Sequence, residues 1–381
     1  MFWIWLLIES LLFLLLTPLR ILVTLVILFG WKPKFEFKED LLEVNGDIEE
    51  KAIRYFSSFN ILKYVKHGSG DSAKFAGMYV HAFPSEDGKK ALLSYIKNGY
   101  FDRRVIGNHP KPFSGDMLAG WLLGISALYK AGLLKKEDID KIERAVNKAF
   151  FEKPYCQFSA PWVKKKDRGF LFRYWFIGQD FLPSLALLRF IISVKPKLKY
   201  KLLYYWLRFL SFPWIDLTPE ASIQRGNLFW ISWYASHSKA CLAKAVLNVE
   251  PNNKLFKKIL TKVNKKHGWY NPDIRALYCD FFGWSEEDKR FVKAWLEDYT
   301  DEKHQESIPK EWRTNYIHLK SLIRYKFDTK RSSFVGSKYV LPTRFRRNEY
   351  RWEKTALNSQ RSRNENIDYL HLYKLFTRKQ D

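Results

Sequence analysis

Gly107–Gly132 reads GNHPKPFSGDMLAGWLLGISALYKAG. The first part, Asn108-His109-Pro110-Lys111-Pro112, is a polar loop punctuated by proline. Ser114 then stands where a helix N-cap belongs, because its hydroxyl can accept a bond from a first-turn N–H. Asp116 follows in the first turn, where a carboxylate favours the positive end of the helix dipole. The helix itself is apolar, and Ala119, Gly120 and Gly124 leave part of its surface without bulk. Another backbone or a ligand can approach closely there. An acid in a first turn beside a histidine-bearing loop is one way an all-helical enzyme presents polar groups to a cleft. The same pattern describes an ordinary capped core helix.

The rest of the chain repeats this helical texture. Asp47 to Phe59, Lys89 to Lys97, Ile139 to Phe151, Phe172 to Val194, Lys199 to Leu210, Asn227 to Asn248, Lys254 to Lys265, Ile274 to Phe282 and Lys289 to Tyr299 carry helical spacing or helix-end signals. Asn98-Gly99 reads as a helix stop, and Ser285-Glu286-Glu287-Asp288 as an acidic N-cap. Alternating strand patterns are scarce, so the expected class is all-α. Four segments follow: an N-terminal transmembrane helix over 1–31, a connector over 32–46, a helical domain over 47–327 and a basic tail over 328–381.

The N-terminal run from Phe2 to Trp31 is nearly all apolar and long enough to span a bilayer once. Trp3, Trp5 and Trp31 suit the interfacial belts. No Lys or Arg precedes the run, which disfavours a cleaved signal peptide. Lys32, Lys34 and Lys38 follow at once, and the positive-inside bias then keeps the larger part on the cytoplasmic side. A second geometry puts Phe2–Leu19 in the bilayer and Ile21–Trp31 along its surface.

Composition narrows the partners. The 381 residues carry a formal charge of +25, which implies anionic company. The plain reading of the basic tail is a solvated, flexible end; anionic lipid headgroups come next, because an anchor holds the tail near them and each surface cation adds about 1 kcal/mol. Nucleic acid ranks last, since no recognition helix or RNP-like pattern is visible. Hydrophobic residues at 47% exclude a mainly disordered chain. The three cysteines, Cys156, Cys241 and Cys279, are widely spaced and suggest neither a disulfide framework nor a metal site. No cofactor motif is present.

Long helices rich in small and aromatic residues alternate with shorter charged ones, as expected when inner helices are ringed by outer ones. Over roughly residues 47 to 325 this rhythm, with the loops His109–Asp116 and Trp269–Asp273 ahead of small-residue helices, resembles the α/α toroid of glycoside hydrolases and polysaccharide lyases. The resemblance implies a glycan substrate in a cleft at one end of the barrel. Glycosidases need two carboxylates, and Asp116 and Asp273 with His109 are the catalytic candidates. Arg103, Trp121, Asp180, His237, Trp269 and Tyr270 are the substrate-binding candidates: rings for sugar faces, a guanidinium for an acidic group. Each has a plainer reading. Asp116 and Asp180 suit helix caps, His237 a satisfied core histidine, and the rings core positions. The alternative function is a non-catalytic, membrane-tethered helical domain that binds anionic partners through its basic surface.

Overall fold

A computed structural model describes residues 47–67, 72–103, 105, 113, 115–152, 181–212, 214–217, 234–268, 271–299, 306–307, 339–340 and 366–378, with 7, 11, 14, 15, 17, 18, 21, 22, 25, 44 and 46. Helix dominates, as the periodicity requires. In chain order the elements are α1 (Ile48–Ser58), α2 (Ile61–His67), α3 (Ser72–Ala82), α4 (Glu86–Leu93), β1 (Ile96–Lys97), β2 (Tyr100–Phe101), α5 (Gly115–Lys130) and α6 (Lys136–Asn147) with a π-helical extension over Lys148–Glu152. There follow α7 (Phe181–Val194), α8 (Leu198–Leu210), the short α9 (Trp214–Leu217), α10 (Tyr234–Val249), α11 (Lys254–His267), α12 (Pro272–Phe282), α13 (Glu286–Asp298), β3 (Glu306–Ser307), β4 (Tyr339–Val340) and α14 (Ile367–Thr377). The chain divides into two compact units. Met1–Gly30, Ile61–Pro219 and Cys241–Ile259 make the first, and Trp31–Asn60, Glu220–Ala240 and Leu260–Asp381 the second.

The first unit is built on the contact between α3 and α5. A Cβ placed on Gly77 would collide with the carbonyl of Gly120, and one on Gly120 with the carbonyl of Lys74. A Cβ on Gly124 would lie 2.7 Å from the Gly77 carbonyl oxygen and 2.9 Å from its Cα. The two helices therefore touch backbone to backbone, which only glycine permits. Trp121, fully buried on α5, donates from its indole N–H to the Leu92 carbonyl at the end of α4, 2.9 Å away. Phe101 meets the Trp121 ring edge-on at 5.0 Å, which ties the β1–β2 hairpin to the same helix.

Asn98-Gly99 is the turn of that hairpin rather than the end of a helix running to Lys97. Asn98 has φ 51° and Gly99 φ 79°. Ile96 pairs with Phe101 and Lys97 with Tyr100. Two consecutive left-handed residues joining antiparallel partners are what a two-residue hairpin loop requires, and Asn-Gly supplies them readily. The preceding helix ends at Leu93.

Charged contacts hold the outer side of this unit. Glu143 of α6 accepts from Lys197 at 2.8 Å and from the Tyr200 hydroxyl at 2.6 Å. Burial opposes its ionisation, but these bonds and the charges of Lys197 and Lys195 outweigh burial and bring its carboxyl down to about 2. Arg189 of α7 forms a two-pronged pair with Glu250. α7 and α8 pack as neighbours, and Leu203, Leu207 and Leu210 of α8 and the apolar run of α7 are buried.

The second unit gathers α1, α12, α13 and α14. Asp47 caps α1 by accepting from Glu50 N–H at 2.7 Å. Ser285 and Asp288 make a capping box on α13, which starts at Glu286, three residues before the expected Lys289. α14 lies within the tail that composition marks as aperiodic, and it is largely buried. Its Tyr369 hydroxyl donates to the Ile48 carbonyl of α1 at 2.8 Å, and its ring meets Tyr55 and Tyr299 at 5.2 and 4.8 Å. Lys51 of α1 is buried and closes the C-terminal end of α13, donating to the carbonyls of Glu297 and Tyr299 at 3.1 and 3.0 Å.

The anchor expected over 1–31 falls mostly outside the described residues. Among the described residues no helix is long and apolar enough to cross a membrane.

The glycine contact makes a direct prediction. Gly120→Ala should destabilise the chain by about 1–3 kcal/mol or more through overpacking. Gly132 has φ 70°, and nothing lies within 4 Å of the place a Cβ would take. Gly132→Ala should therefore cost only backbone strain, about 1 kcal/mol. Urea unfolding midpoints check this; a Gly120→Ala loss no larger than that of Gly132→Ala would contradict it.

Candidate functional site: a buried His–Asp–His network

The site forms at the start of α12. Asn271 takes extended backbone angles and its side chain accepts from Ile274 N–H at 3.2 Å. Pro272 occupies the first turn, where its missing N–H costs nothing. Asp273 is thereby fixed at the positive end of the helix dipole. Its carboxylate receives two histidines. His237, in the first turn of α10, places Nε2 at 2.6 Å from Oδ2, and His371 of α14 places Nδ1 at 2.7 Å from Oδ1. All three side chains have no exposed surface.

Burial works against ionisation of Asp273. The attraction of His371 and the hydrogen bonds from both imidazoles overcome it and hold the carboxyl well below the usual carboxylate range. An ionised carboxylate has only acceptors. Each imidazole therefore donates to it, His237 from Nε2–H and His371 from Nδ1–H. Asp273 stands 36 positions from one histidine and 98 from the other, so the knot joins three different helices. The hydroxyls of Ser236 and Ser238, on either side of His237, are buried without a hydrogen-bond partner. Cys279, two turns along α12, is a buried thiol whose ionisation burial suppresses.

Sequence reasoning selected His237 and Asp273, and they meet. A cleft role does not fit, because a general acid or base must reach a substrate proton directly or through one water, whereas both side chains are sealed; for His237 this is the plainer reading of a satisfied core histidine. Trp121 was expected to stack on a sugar and is instead fully buried, with its N–H committed to Leu92. Arg103 is partly buried in the first unit, and its Nε lies 3.3 Å from the Met117 sulfur. Asp116 sits in the first turn of α5, half-buried, as its capping position requires. His109, Asp180, Trp269 and Tyr270 lie outside the described residues, as does the expected Ser114 cap. His371 was missed. Its signal was the pairs Ile367/Leu370 and Leu372/Leu375, each at a helical spacing of three, inside a basic tail. Among the described residues no group of three or more acidic, histidine or cysteine side chains is arranged to hold a metal ion. No protein-family model, curated protein or solved structure matches this chain.

The depressed carboxyl of Asp273 sets a pH dependence. A group whose folded value lies below its unfolded value, near about 3.9 for Asp, stabilises the fold above that unfolded value and loses the contribution as pH falls through the folded one. At neutral pH, Asp273→Asn should cost about 3–5 kcal/mol, because it strips the charge from a buried network. The gap between the two chains should narrow below pH of about 4. Denaturant midpoints measured from neutral to acid pH check both; a gap that is absent at neutral pH or constant with pH would contradict them.

Proposed function

We propose that this chain is a membrane-tethered, all-helical protein that binds anionic partners at a lipid surface, with its N-terminal segment as the tether. The observation that carries the reading is at the N-terminus. Leu7, Leu11, Leu14, Leu15, Ile21, Leu22 and Leu25 are helical, and each is at least 40% exposed. Single exposed leucines are ordinary, but a series along one segment marks a surface made to meet something apolar. The formal charge of +25 favours an anionic bilayer over a neutral one.

A carbohydrate-active function is the second reading. The meeting of His237 and Asp273 at 2.6 Å supports it, because an acid beside a histidine is the pairing that acid–base chemistry uses. Their complete burial weighs against it, and the binding reading is preferred on that ground.

The tether is tested on the full chain in native membranes. It should stay with the pellet through high salt and through alkaline carbonate, which strip proteins held by charge alone. Release by salt would contradict the tether. For the enzyme reading, Asp116→Asn and wild type should differ in a screen against acidic and neutral polysaccharides; equal inactivity of both leaves the binding reading standing.

A further inference from the structure

Helix α8 has two apolar faces. Tyr200, Leu203, Tyr204, Leu207 and Leu210 are buried. Leu198, Leu202, Tyr205 and Phe209 are exposed by 70, 54, 64 and 60%, and Phe212 just beyond the helix by 60%. The exposed residues recur at intervals of four, three, four and three. At about 100° per residue the four within the helix fall inside an arc of about 60°, opposite the buried set. This is a continuous ridge of leucine and aromatic rings, not a scatter of single exposed side chains.

Charge flanks the ridge with one sign. From Lys195 to Leu210 the chain carries Lys195, Lys197, Lys199, Lys201 and Arg208 and no acidic residue. The acids facing them come from other elements: Asp140 and Glu143 of α6 meet Lys195 and Lys197, and Asp216 of α9 meets Arg208. Lys199 bonds the neutral side chain of Asn147. Lys201 is exposed at one edge of the ridge and Lys199 lies at the other edge. Long basic side chains beside an apolar ridge can lay their stems along it and lift their charges to the headgroup level. Tyrosine suits the same boundary, apolar in body and polar at the tip.

We propose that the ridge Leu198–Leu202–Tyr205–Phe209–Phe212 is an interfacial docking surface that lies in the plane of an anionic lipid bilayer, with Lys201 on a phosphate or carboxylate headgroup. The geometry is that of a surface-bound amphipathic helix, except that its other face is anchored in the protein core. The surface extends the membrane reading of the chain. It supplies a second point of contact that sets how the first unit meets the lipid, where a lone N-terminal tether leaves orientation free.

The test uses the full chain with Cys156 replaced by Ser; Cys241 and Cys279 are buried and out of reach of a label. A nitroxide is placed through Phe209→Cys, and in a second variant through Leu202→Cys. A label at Leu15→Cys reports the tether, and one at exposed Lys90→Cys reports an aqueous position in the same unit. Collision with oxygen and with a water-soluble nickel chelate is measured in vesicles of phosphatidylcholine alone and of phosphatidylcholine mixed with phosphatidylglycerol. With the anionic vesicles, oxygen collisions at 209 and 202 should rise and nickel collisions fall several-fold relative to position 90, and the change should be smaller with phosphatidylcholine alone. Water-like accessibility at both ridge positions overturns the proposal, whatever Leu15 reports. Equal burial in both vesicle types overturns its anionic preference. Dipolar broadening between labels at 209 overturns it in favour of a second copy of this chain. A lipid-buried Leu15 with an aqueous ridge removes the ridge and keeps the tether, while an aqueous Leu15 with a buried ridge removes the tether and keeps the ridge.

Discussion

The backbone contact between α3 and α5 is the constraint on which the first unit depends. Gly77, Gly120 and Gly124 stack where two helices cross, and each glycine faces the other helix's main chain. Side-chain packing normally keeps helix axes 8–10 Å apart; removing three side chains lets the crossing close further. Trp121, Leu92 and Phe101 then find their positions around that crossing, and the hairpin with its Asn-Gly turn fills the space beside it.

The second unit depends on a different device. Three helices converge on a single buried carboxylate, which accepts from Nε2 of His237 and Nδ1 of His371. α14 is tied in by two tyrosines as well: Tyr369 donates to the Ile48 carbonyl, and Tyr299 to the side-chain oxygens of Asn366 and Asp368. A buried ion network of this kind contributes less to net stability than to selecting one arrangement, because desolvation offsets much of its attraction. For this chain the arrangement selected includes the C-terminal helix, which composition alone assigns to a basic tail.

Local signals in the sequence were legible, and their partners were not. Ser285 was readable as a cap because capping involves residues three apart. The small-residue face of α5 was readable, but Gly77 and Lys74 as the backbone beneath it were not, since nothing in Ala119, Gly120 or Gly124 specifies which helix approaches. Asn98-Gly99 was visible as a stop; whether it ends a helix or turns a hairpin depends on Phe101 docking against Trp121. Asp273 and His237 stood out by residue type and surroundings. Their burial depends on α14, about a hundred residues further along, and that helix hides in a segment where arginine and lysine mask its apolar period. The apolar N-terminal run lies mostly outside the described residues; its described leucines are helical and exposed.

The central claim is that the apolar side chains this protein leaves uncovered, at its N-terminus and along α8, are turned toward an anionic bilayer. Photo-cross-linking with an anionic phospholipid carrying a diazirine in its acyl chain, followed by peptide mapping of the adducts, tests it most directly. The account predicts adducts concentrated within residues 1–31 and 198–212, with few on α12 or α14. Adducts spread evenly over the surface, or absent from both segments, would contradict it.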